Sequence, residues 1–137
     1  MLSIVIPTLN EEKYLPLLLK SVKNQVLQDE VEIIVADSGS TDKTQEIAVS
    51  FGCRVYVIPS VVLPAQAKNG GAEFAQGSII FFVDADVILP PSFLKKAVDE
   101  FRLRNLGVGS FYLASDNKFH NFLFNLLMLF FFSVRKF

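Results

Sequence analysis

Two carboxylates close an apolar run in this chain: Asp84-Ala85-Asp86 follows residues 78–83, and acids in that position invite a cation. The run reads as a strand buried on both faces, so its C-terminal end opens at the sheet edge where α/β proteins hold ligands. At ~5 Å and an effective dielectric of ~20, two like charges repel by ~3 kcal/mol, a cost that a bound divalent ion or a basic partner removes. An Asp-x-Asp arises by chance about 0.5 times in a chain of this length, so the information lies in the placement. Two solvated acids in a loop are the plain alternative.

Other polar side chains fall at equivalent places. Thr8, Asn10 and Glu11 follow a first apolar run, Asp37, Ser38 and Gly39 follow a second, and Lys68 with Asn69 precedes the run that ends in Asp84. Asp37 could accept two hydrogen bonds from a base imide or a ribose, or simply cap the next turn. The Lys68 ammonium could meet a phosphate, or lie on a solvated face. Glu11 could belong to the site or be a helix N-terminal charge. No G-x-G-x-x-G follows the first run, and residues 39–44 lack P-loop spacing, so the usual dinucleotide and P-loop sites are unsupported.

These residues need strand ends to carry them. Residues 2–7 read as a strand, Asn10-Glu11-Glu12 as the cap of a helix reaching about Gln25, with Leu15, Leu18, Leu19 and Val22 on one face and Pro16 in its first turn. Residues 31–36 predict a second strand ending at Asp37. A polar turn at 38–42 then caps a helix with Ile47, Ala48 and Phe51 on one face and Gly52 as its stop. Residues 54–58 predict a third strand, and Pro64 and Gly77 bracket a third helix weakened by Gly70-Gly71, whose small residues allow close approach. After the strand at 78–83, Pro90-Pro91 starts a helix with Phe93, Leu94, Ala97, Val98 and Phe101 on one face, and residues 108–113 suggest a fifth strand. Such alternation gives right-handed crossovers and a mainly parallel sheet covered on both sides. Two strand orders, 3-2-1-4 and 2-1-3-4, fit the spacing. The first brings residues 7–12 beside Asp84 and Asp86, with Asp37 one strand away, and is the expected order.

With 137 residues there is room for one domain and a good core. Half the residues are hydrophobic, with 14 Phe and no Trp, which excludes disorder, and the net charge of -1 argues against nucleic acid as a partner. Charge is uneven: residues 1–86 carry 6 basic and 11 acidic side chains, whereas residues 87–137 carry 7 and 3. The acidic front suits a metal site. Cys53 is the one cysteine and reads as a small core residue, and with the single His120 it offers no zinc set. A reduced, cytoplasmic compartment is expected, since the first residues lack the pattern of an export signal.

Taken together, the motifs SIVIPTLNEE (3–12), IIVADSGSTDKT (33–44), AKNG (67–70) and FVDAD (82–86) resemble the family 2 glycosyltransferases of the GT-A, Rossmann-like fold. The resemblance covers residues 2–101 and places each motif at a strand end or in the adjoining loop or helix. It implies a sugar donor linked to a nucleoside diphosphate, UDP or GDP, with Pro7, Thr8, Leu9, Asn10, Glu11 and Asp37 lining base and ribose, Ser38 and Gly39 beside them, and Lys68 near base or phosphates. By the same resemblance Asp84 touches ribose or metal, Ala85 lies between, and Asp86 ligates Mg²⁺ or Mn²⁺ at the pyrophosphate. The family's usual second Asp is Ser38 here and its usual Arg is Lys68, departures that leave the donor base open.

Family members that act alone continue into a second half that binds acceptor and supplies the base for inverting displacement, and no match to it is visible. Residues 1–114 are therefore expected to form the donor-binding domain and 115–137 an apolar, basic tail. Its apolar part spans only ~20 Å as a helix against a hydrocarbon core of ~30 Å. Peripheral attachment at the inner face of the membrane, beside a lipid-linked or polysaccharide acceptor, and burial against a missing half or a second copy both fit. The reading is a metal-dependent, inverting glycosyltransferase. Its alternative is a non-catalytic nucleotide-sugar binding module or truncated donor-binding fragment.

Overall fold

The computed structural model describes residues 1–58 and 63–110. Four apolar runs become four strands, β1 (Leu2–Thr8), β2 (Val31–Asp37), β3 (Arg54–Val57) and β4 (Ile79–Phe82), in one sheet of order β3-β2-β1-β4. All three pairings are parallel. Of the two orders open to the sequence, this is the one with β1 flanked by β2 and β4. Register then matters: Thr8 pairs with Asp37, so the polar ends of β1 and β2 arrive side by side.

Strand alternation splits the core in two. Ile4, Ile6, Val35, Phe81 and Val83 face one way, onto α1 (Leu15–Lys23), α2 (Thr44–Ser50) and α4 (Phe93–Leu103). Val5, Ile34 and Ile80 face the other way, with Ala72 of α3 (Pro64–Glu73) and Ala75 just after it. Helices thus cover both faces. Leu15, Leu18, Leu19 and Leu94 are fully buried, each worth ~1.5–3 kcal/mol relative to exposure. Gly71 sets how closely α3 approaches: a Cβ there would lie 2.5 Å from Val5 Cγ1 and 3.1 Å from Ala36 Cβ. Cys53 is buried as expected, and burial pushes its thiol up to about 11, with Lys23 offsetting only in part.

Several boundaries differ from expectation. Helix α1 starts at Leu15, with Pro16 in its first turn, because Asn10 takes a left-handed φ of 57° and its side chain turns to another loop. It also ends two residues early, at Lys23, where the Asn24 and Gln25 N–H groups bond back to Lys20 and Val22. The stop of α2 is as expected: Gly52 has φ 78°, and the Gly52 and Cys53 N–H groups return to the Val49 and Ala48 carbonyls. Helix α3 ends at Glu73, four residues before Gly77, whose N–H instead donates to Ser3 Oγ at 2.8 Å and Glu32 Oε1 at 3.2 Å. Helix α4 begins at Phe93 after a left-handed Ser92, since Pro90-Pro91 forms the approach to it. Residues 108–110 form no strand; the remainder of the expected fifth strand and the tail lie outside the described residues. Among the described residues, no helix is long and apolar enough to cross a membrane.

Candidate functional site

The C-terminal ends of β1, β2 and β4 meet at one edge of the sheet. Asp37, the last residue of β2, is fully buried. Its Oδ1 accepts the Gly39 N–H (3.1 Å), the Ser40 N–H (2.8 Å) and Gln45 Nε2 (2.8 Å). Its Oδ2 accepts Thr8 Oγ1 (2.9 Å) and Ser40 Oγ (2.5 Å). Burial pushes this carboxyl up, but the Ser40, Thr8 and Gln45 hydrogen bonds outweigh it and hold the group below its ordinary range. The charge is thus kept inside the protein as a carboxylate. Gly39 supports the turn with φ 87°, a conformation that a Cβ disfavours.

The same contacts lace two loops together. Asn10 N–H donates to Ser40 Oγ (2.8 Å), and Asn10 Oδ1 accepts the Thr41 N–H (2.8 Å). The Glu11 N–H reaches Thr44 Oγ1 (2.8 Å) and the Glu12 N–H reaches Asp42 Oδ2 (3.0 Å). Ser38 is buried, its N–H donating to the Thr8 carbonyl at 2.9 Å. Leu9 stays exposed beside them, and Pro7 is half-buried. The β1–α1 loop therefore has a fixed course before any ligand arrives.

Across β1 stands a second cluster. Lys68 on α3 is 8% exposed, and its Nζ lies 2.8 Å from Asp84 Oδ1. Ala85 is buried and Asp86 exposed, so the two acids that flank it have different tasks: one holds the lysine, the other faces outward. Glu11 belongs to the same electrostatic neighbourhood. Burial raises its carboxyl above the usual range, and the charges of Asp86, Asp42 and Asp84 raise it further. Asp37 ends β2 and Asp84 follows β4, on either side of β1, ~10 Å apart by two interstrand spacings.

Hard oxygen donors with surplus negative charge suit Mg²⁺ or Mn²⁺. Among the described residues, no three acidic, histidine or cysteine side chains form a ready cage. Asp86, exposed and with Asp84 and Glu11 nearby, could hold such an ion only together with ligand oxygens and water.

All the residues singled out from the sequence lie at this edge or on α3 beside it. Thr8 joins Asp37, Lys68 joins Asp84, and Glu11 senses Asp86. Sequence reasoning missed Ser40, Thr44 and Gln45, which hold Asp37 and Glu11 from across the loop. The available signal was the density of hydroxyl and acid side chains in residues 38–44 directly after the Asp37 strand end.

A parallel sheet of order 3-2-1-4 with helices on both faces is the GT-A fold of the solved structures it is similar to, here with acids and a lysine at the C-terminal edge. The chain belongs to glycosyl transferase family 2, whose family model matches residues 3–136. It is 40% identical over 94 residues to the 4,4'-diaponeurosporenoate glycosyltransferase of Staphylococcus haemolyticus, covering 64% of this chain and 24% of that protein. The structure is similar to S. aureus TarS 1-349 in complex with UDP, with TM-score 0.72, 29% identity, and 78% of this chain and 33% of that chain covered. It is also similar to the mannosyltransferase PcManGT of Pyrobaculum calidifontis in complex with GDP-Man and Mn²⁺, with TM-score 0.73, 25% identity, and 89% and 38% covered. The chain spans less than half the length of the curated relatives it matches.

Proposed function

We propose that this chain forms the donor-binding part of a metal-dependent, inverting glycosyltransferase that uses a UDP- or GDP-linked sugar. The observation that carries the proposal is the pairing of two clusters about β1, Thr8–Asp37 on one side and Lys68–Asp84 with Asp86 on the other. Their spacing suits a ligand with a hydrogen-bonding base at one end and a pyrophosphate at the other. UDP in TarS and GDP-Man with Mn²⁺ in PcManGT support that ligand class and an ion of the Mg²⁺ or Mn²⁺ type.

In this reading Asp37 receives an N–H of the base or a ribose hydroxyl, and Pro7, Leu9 and Asn10 wall the nucleoside. Lys68, held by Asp84, presents positive charge to the phosphates. Asp86 and the nearby acids hold the divalent ion, which when bound supplies charge neutralisation at the leaving nucleoside diphosphate. A second reading, donor binding without transfer, is supported by the acids that follow Asp86 among the described residues. Asp99 pairs with Lys95 at 2.5 Å and Glu100 with Arg104, both along α4, so neither stands free as a base.

Titration calorimetry of UDP and GDP with and without Mn²⁺ tests the proposal. Asp86→Ala should abolish the Mn²⁺-dependent part of binding, at least tenfold in affinity, and an unchanged metal dependence would refute the ligand role. Sugar transfer or donor hydrolysis by the chain favours the enzyme; tight binding without turnover favours the module.

A further inference from the structure

Both oxygens of Asp37 are occupied, but by donors of different mobility. Oδ1 holds two main-chain N–H groups and the Gln45 amide, and the main-chain pair cannot leave without undoing the turn at Gly39. Oδ2 holds two hydroxyls, and a hydroxyl releases an acceptor by rotating. Thr8 is 4% exposed and fixed within β1, whereas Ser40 lies in the loop and reaches solvent. Ser40 also links the two loops, since its Oγ accepts the Asn10 N–H while donating to Asp37.

We propose that Ser40 is an exchangeable stand-in for the ligand: its hydroxyl satisfies Asp37 Oδ2 in the empty site and yields that oxygen to a ring N–H of the nucleobase on binding. The inference rests on the reading that Asp37 receives the base. A ring N–H of this kind is present in both uracil and guanine. In the empty state the Ser40 hydroxyl thereby gives Oδ2 a second donor beside Thr8, and the exchange of one donor for another is nearly neutral. Ser40 thus lowers nucleotide affinity in return for a satisfied empty site, and acts as a positioning residue.

Removing the hydroxyl takes a donor from Asp37 in the empty state alone, while the Asn10 N–H that it also leaves lies in an exposed loop where water replaces it. Ser40→Ala should therefore bind UDP, or GDP if that is the base preferred, about three- to tenfold more tightly, while melting at lower temperature without ligand. The probe that isolates the contact is the same nucleotide methylated on the ring nitrogen, N3 for UDP or N1 for GDP. It should bind the wild type more weakly than the parent nucleotide, and Ser40→Ala should not improve it. Equal affinity of the wild type for methylated and parent nucleotides would overturn the Asp37 contact itself. A weaker methylated nucleotide combined with unchanged or weaker parent binding to Ser40→Ala would overturn the stand-in role alone. Should Ser40→Ala not fold, Ser40→Cys carries the test, since a thiol is a weak donor of similar size. Its affinity should rise in the same direction, and a fall refutes the exchange.

Discussion

At Glu11, partial burial and three acidic neighbours act in the same direction, lifting the carboxyl above its ordinary value. A raised carboxyl means that the folded chain binds a proton more readily than the unfolded one. Its favourable contribution is complete below the unfolded value of about 4.5 and is lost as pH rises through the folded value. At neutral pH the ionised group is therefore a small liability that a bound cation would cancel. Glu11→Gln should stabilise the cation-free protein at pH 7, by on the order of 0.5 kcal/mol because the site is partly solvated, and should weaken Mn²⁺ affinity. Melts at pH 7 with and without Mn²⁺ read both signs, and a stabilisation by Mn²⁺ that survives the substitution intact would separate Glu11 from the ion. From sequence, Glu11 could have been only a helix-end charge. The structure gives it both settings: the Tyr14 and Leu15 N–H groups bond back to the Glu11 carbonyl at the entry to α1, and its carboxyl feels Asp86, Asp42 and Asp84.

Helix α3 shows how an element carries the site. It bears Lys68, and its height above β1 and β2 depends on Gly71, where a methyl group would press on Val5 and Ala36. Gly71→Ala gains about 1 kcal/mol of helix propensity but meets a packed sheet, for a net loss of ~1–3 kcal/mol in urea unfolding and weaker nucleotide binding through displaced Lys68. Gly70→Ala is the control. Its methyl would meet only the Tyr56 ring, at 3.1 and 3.8 Å, a side chain rather than backbone, so the variant should be near neutral. A Gly71→Ala protein as stable as Gly70→Ala would show that α3 rides freely. The apolar runs made all four strands and the helix faces legible, because periodicity reflects burial directly, but they left the strand order open between 3-2-1-4 and 2-1-3-4. Punctuation was less legible. Asn10 and Gly77 look like local cap and stop signals, yet both serve contacts 31 and 74 residues away in sequence. The missed partners of Asp37, Ser40 and Gln45, lie only three and eight residues on; they escaped because a polar turn holds many hydroxyl and amide groups and its composition does not say which fold back onto the carboxylate.

On the scale of the whole molecule, the two edges of the sheet divide function from fastening. At the N-terminal edge Glu32 accepts Ser3 Oγ (2.5 Å), the Gln76 N–H (2.5 Å) and Arg54 (2.7 Å), tying β1, β2, β3 and the approach to β4 into one clasp. Burial pushes this carboxyl up, but the Ser3, Gln76 and Arg54 hydrogen bonds hold it below its ordinary value. Asp29, through its paired bonds to Arg102 (3.0 and 2.7 Å), is lowered as well, as are Asp37 and Asp42 at the other edge. For groups lowered in this way the unfolded chain binds more protons. The stability they add is complete above the unfolded values and drains as pH falls through the folded ones, so acid unfolding should set in below about pH 4. Glu32→Gln isolates one share of this. It should cost ~1–2 kcal/mol at pH 7, where the charge-assisted bonds to Ser3 and Arg54 are lost, and progressively less as acid protonates the wild-type carboxyl. Urea midpoints measured from pH 7 to pH 3 should therefore converge for the two proteins, and parallel curves would deny Glu32 its ionised role. Nucleotide affinity at pH 7 should be unchanged in the folded variant, because Glu32 lies five strand residues, ~17 Å, from Asp37 at the opposite end of β2.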